Sequence, residues 1–87
     1  MKSLELELGD FLALLCANWG FCSMPDDERL RLVNSQYLTA HEFALAVLKG
    51  EGFREPDVEV QQIRRLKTAF LERFGSGVVS VKDFVGE

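Results

Sequence analysis

Two stretches of this 87-residue chain match position by position in chemical kind. Tyr37-Leu38-Thr39-Ala40-His41-Glu42-Phe43 lies over Val78-Val79-Ser80-Val81-Lys82-Asp83-Phe84 without a gap. Each has an apolar pair, a hydroxyl residue, two variable residues, an acid and a phenylalanine. A hydroxyl followed three residues later by an acid marks a helix start. The side-chain oxygen accepts a hydrogen bond from an otherwise unpaired backbone N–H, and the acid faces the positive end of the helix dipole. Two copies in so short a chain point to a duplicated helix–loop–helix unit.

The surrounding sequence supplies further helices. Leu4, Leu8, Phe11 or Leu12, Leu15 and Trp19 recur at helical spacing, which predicts a first helix over 3–21 with Ser3 as its cap. The strand-like alternation of 4–8 and the Gly9-Asp10 pair offer a later start, so Ser3 and Asp10 both stand as possible beginnings. From 11 to 17 the helix is apolar on every side, as in a helix at the centre of a core or under a partner. Residues 23–28 read as a second helix start, with Pro25 early and Asp26, Asp27 and Glu28 in the first turn. Thr39 opens the next helix, which Gly50 and Gly52 stop. The longest helix is predicted over 57–74, with Val60, Ile63, Leu66, Phe70 and Phe74 as its apolar stripe. Gln61, Arg64, Arg65 and Glu72 lie off that stripe as a solvated face. Gly75-Ser76-Gly77 breaks this helix, and a short terminal one carrying Phe84 and Val85 follows. The expected architecture is a single all-α domain over 1–87 with four to five short helices.

The repeated segment resembles the second half of an EF-hand loop together with the start of its exiting helix. The resemblance implies paired helix–loop–helix units joined by a minimal two-strand bridge, with Leu38 and Val79 as the bridge residues. It also implies that Glu42 and Asp83 occupy the position of the calcium-binding acid, and that Phe43 and Phe84 pack between helices. The chain departs from the pattern where the metal would be held. Calcium takes six to eight oxygen ligands, yet Arg31, Leu32, Val33, Asn34 and Ser35 precede Leu38, and Gly75-Ser76-Gly77 carries no carboxylate. The expectation is a degenerate pair that binds no calcium and needs no cofactor.

Charge and composition narrow the function. The formal net charge is −4, and residues 1–28 carry six acids against Lys2. An acidic chain repels phosphate backbones, which argues against nucleic acid as a partner. A helix-turn-helix reading of 39–52 followed by Arg64-Arg65-Leu66-Lys67 also suffers from a long turn and misplaced glycines. Acyl carrier proteins are similar in the spacing of Glu42-Phe43, Gly52-Phe53 and Pro56-Asp57, but Tyr37 stands where the attachment serine belongs, and Ser35 is two residues away. Cys16, Cys22 and His41 are too few for a zinc site without carboxylates. Residues 16–22 read as helical, so the cysteines are expected to be buried, reduced thiols, and reduced thiols favour the cytoplasm. The apolar run of 11–25 is too short for a membrane span and lacks the positive start of a secretory signal.

No catalytic or metal-ligating constellation emerges. His41 with either cysteine lacks a third orienting group, and Gly50-Glu51-Gly52 lacks the context of a phosphate loop. The chain therefore reads as a non-enzymatic interaction module. Its candidate protein interface is Leu12, Trp19, Phe21 and Met24, facing a protein partner or a second copy of the chain.

Overall fold

The computed structural model describes residues 3–82. Helix α1 spans Leu4–Trp19, so the earlier start applies: Ser3 Oγ accepts from Leu6 N at 3.1 Å. Leu4, Leu8, Phe11 and Leu15 form its buried stripe. The helix ends sooner than the periodicity predicts. Gly20 takes φ 77°, a left-handed conformation open to a residue without Cβ, and its N–H returns to Cys16 O at 3.1 Å.

That reversal overturns the expectation for the cysteines. The chain turns back at Gly20 and brings Cys22 beside Cys16, with 4.5 Å between Cα atoms, and the two form a disulfide. Cys22 is exposed rather than buried. A continuous helix through 16–22 would have kept the pair apart. The reduced-thiol argument for a cytoplasmic setting falls with it. Among the described residues no helix is long and apolar enough to cross a membrane.

Helix α2 spans Asp26–Val33, with Pro25 before it and three acids in its first turn. Strand β1 (Tyr37–Thr39) leads directly into helix α3 (Ala40–Gly50). Thr39 caps α3: its Oγ1 accepts from Glu42 N at 3.0 Å, and its hydroxyl donates to Glu42 Oε1 at 3.1 Å. A single 3₁₀ turn at Pro56–Val58 comes next, and helix α4 occupies Val60–Phe74, so the helix expected from 57 is broken at Glu59. Strand β2 is Val78–Ser80. It pairs antiparallel with β1 in the register Tyr37↔Ser80, Leu38↔Val79, Thr39↔Val78. The fold is all-α with a minimal two-strand sheet. The terminal helix expected from Ser80, with Asp83 and Phe84, lies outside the described residues.

The core gathers around phenylalanines from three helices. Phe11 of α1 stacks on Phe43 of α3 with ring centroids 5.0 Å apart, and meets Phe74 of α4 edge-on at 5.7 Å. Phe70 of α4 lies 5.5 Å from Phe43. Helices α1 and α4 run in opposite directions, because Glu7 pairs with Arg73 at 2.9 Å near one end and Trp19 meets Arg65 near the other. Ile63, Leu66 and Phe70 are the buried stripe of α4. Val60, read from the sequence as part of it, is instead 59% exposed. It sits on the flank of α4 that carries Arg64, Lys67 and Leu71, and no helix covers that flank among the described residues.

Candidate functional site

The four residues proposed from sequence as an interface separate into two places. Leu12, Phe21 and Met24 are half-buried against the core. They line a shallow cleft of about 290 Å³ together with Cys16, Cys22 and Arg29. The disulfide shapes this cleft by holding Phe21 and Met24 close to α1. Arg29 donates to Asp26 Oδ1 at 2.9 Å, so its charge already has a partner. Trp19 lies outside the cleft. Its ring touches Phe21 edge-on at 6.2 Å, and the Arg65 guanidinium sits 4.7 Å from the ring centroid. Leu12, Phe21 and Met24 wall the domain, whereas Trp19 is exposed.

The loop positions carry little chemistry. Glu42, the acid implied by the EF-hand resemblance, has its carboxylate engaged by Thr39 at the start of α3. Among the described residues no group of three or more His, Cys, Asp or Glu is placed to hold a metal ion. Ser35, the hydroxyl nearest the carrier-protein attachment position, donates to Arg31 O at 3.0 Å. His41 is exposed, and both cysteines of the chain are consumed in the disulfide, so a thiol–imidazole pair has no thiol.

A larger groove, not singled out from the sequence, runs along the flank of α4 that bears Val60 and Leu71. Its volume is 460 Å³, within the range of small-molecule and side-chain pockets. Val60, Arg64, Lys67 and Leu71 form one wall, and Ile63 contributes to the floor. Their spacing of four, three and four residues keeps them on one face through three turns. Ala40 and Gly77 form the opposite wall, tied by Ala40 N donating to Gly77 O at 2.8 Å. Val60 and Leu71 are 59% and 50% exposed, and Val78 beside Gly77 is 51% exposed.

Charge on α4 is distinctive. The helix carries Arg64, Arg65, Lys67 and Arg73 against Glu72 alone, in a chain of net charge −4. Arg73 is paired with Glu7, and Arg65 is occupied by Trp19 and Gln62. Arg64 and Lys67 have no ion pair among the described residues. These are the two cations that border the groove. The sequence reading divided this face, placing Val60 in the buried stripe and Arg64 on the solvated side, so it did not bring the two together.

Comparison with known proteins finds no matching family model, no similar curated protein and no matching solved structure.

Proposed function

We propose that this chain is a small, non-enzymatic, calcium-independent protein-interaction module that works through the apolar groove beside α4. The observation that carries the reading is the exposure of Val60 and Leu71 on a helical face that borders a groove floored by Ile63. Apolar side chains grouped in a concavity gain more from a partner than scattered surface ones do. The bridge between Leu38 and Val79 supports the EF-hand-like resemblance, since it joins the two repeated helix starts as that layout implies. The carboxylate of Glu42 engaged in a helix cap supports independence from calcium. Leu12, Phe21 and Met24 then serve chiefly to fix α1 and the segment after it. The partner is another protein or a second copy of the chain, and the reading does not depend on the compartment in which the protein works.

A photoreactive residue placed at Leu71, in cells making the protein, tests this directly. Discrete cross-linked adducts, lost when Val60 is changed to Asp, are the expected result. Cross-linking to solvent alone, with the variant folded, would remove the groove as an interface.

A further inference from the structure

We infer that the α4 groove holds an amphipathic helix whose apolar stripe is flanked by acidic residues. This rests on the interaction reading above and names the partner's chemistry. Three observations lead to it. The first is shape: Val60 and Leu71 lie eleven positions apart on α4, about 16 Å at 1.5 Å per residue, which matches three turns of a partner helix laid alongside. The second is the pattern of the wall, apolar at both ends with Arg64 and Lys67 between them. The third is charge. The groove presents two cations that the described residues leave unpaired, within a chain that is otherwise acidic.

A partner helix with leucines at helical spacing seats them between α4 and the Ala40–Gly77 wall. Its carboxylates then meet Arg64 and Lys67 at the rim, where they steer the encounter and set orientation more than they add affinity. A basic helix gains the same apolar contact but faces these cations with like charge. Strand addition is the weaker mode, because β1 and β2 are only three residues each and offer a short edge. A nucleic acid leaves Val60, Leu71 and Ile63 unused, and two cations on an acidic chain neutralise few phosphates.

The test uses the isotope-labelled full chain and synthetic peptides of about 15 residues, the length of a short groove-binding helix. One carries leucine on one face and glutamate on the flanks, a second has lysine for glutamate, and a third is a scrambled form of the first. The acidic amphipathic peptide is expected to bind saturably and to shift the amides of residues 60–71, Ala40 and Gly77. Arg64→Glu with Lys67→Glu is expected to weaken it by at least about tenfold, and Arg64→Gln with Lys67→Gln by a few-fold, with the weakening fading as salt rises. Should the charge-reversed variant fail to fold, the neutral pair carries the comparison. No binding, equal binding of the basic or scrambled peptide, shifts centred elsewhere, or tighter binding of a short DNA duplex overturns the inference. Self-association that blocks the groove and excludes the peptide overturns it as well, since the occupant is then a second copy. Leu71 adducts in cells alongside failure of the acidic peptide would sink the partner chemistry and leave the interaction reading standing. Absence of both removes the two together.

Discussion

Leu38 and Val79 stand opposite each other at the centre of the antiparallel bridge, both buried, and tie the two repeated segments into one core. Leu38 is fully enclosed, so shortening it to alanine removes transfer free energy and leaves a cavity. Leu38→Ala is expected to cost roughly 3 kcal/mol. Val79→Ala is expected to cost about 1–2 kcal/mol, because fewer buried methyl groups are lost. Since the residues pair, the double variant should fall short of the sum of the single losses. Urea unfolding followed by Trp19 fluorescence measures all three. A loss below about 0.5 kcal/mol for Leu38→Ala, the level of an ordinary surface change, would show that the bridge does not bear on stability.

Gly50 sets two effects against each other. It lies in the last turn of α3, where alanine is favoured over glycine by about 1 kcal/mol on helix propensity. A Cβ there would sit 3.0 Å from Met24 Cα and from Ser23 O, both backbone atoms. That backbone is held in place, since Ser23 N donates to Glu51 Oε1 at 2.7 Å. Crowding should win, with Gly50→Ala destabilising by about 1–2 kcal/mol. A more stable variant in thermal melts would mean that residues 23–25 yield easily.

The Cys16–Cys22 disulfide closes a short loop, and short loops restrain the unfolded chain only modestly. The chain-entropy relation for seven residues gives about 2 kcal/mol. Reduction, or Cys22→Ser, should lower stability by that order without abolishing the fold. Thiol titration in non-reducing buffer should find no free thiol in the folded protein. Two titratable thiols before any reductant is added would contradict the pairing.

Glu42 is committed to Thr39, so millimolar calcium should leave the amide spectrum unchanged, and Thr39→Ala should cost about 1 kcal/mol of stability with or without the ion. Saturable calcium-dependent shifts at residues 39–42 would be incompatible with this account.

Much of the local structure was legible because it depends on neighbours in sequence. Ser3 and Thr39 cap the helices they precede, and the buried stripes of α1 and α4 follow helical spacing. The Leu38–Val79 pairing was what the EF-hand resemblance of the two copies implied, and the bridge has that register. The disulfide could not, since it depends on the left-handed turn at Gly20 within a run that otherwise reads as helix. The site was harder for a related reason. Leu12, Phe21 and Met24 are apolar in any reading, but whether they project or form a wall is decided by α2 and the chain reversal beside them. The α4 groove arises because no other element among the described residues covers Val60 and Leu71. Sequence periodicity records which residues seek burial and says nothing about which neighbours are missing.

The ion pair between Glu7 and Arg73 joins regions near opposite ends of the described chain, and Phe11 meets Phe74 at the same contact. Helix α4 must therefore have left the ribosome before α1 can complete its place beside it. Until then α1 can meet α2 and α3, but the contacts of Phe11 with Phe70 and Phe74 cannot form. The aromatic cluster is thus the last part of this core to close, because its members come from helices made far apart in time.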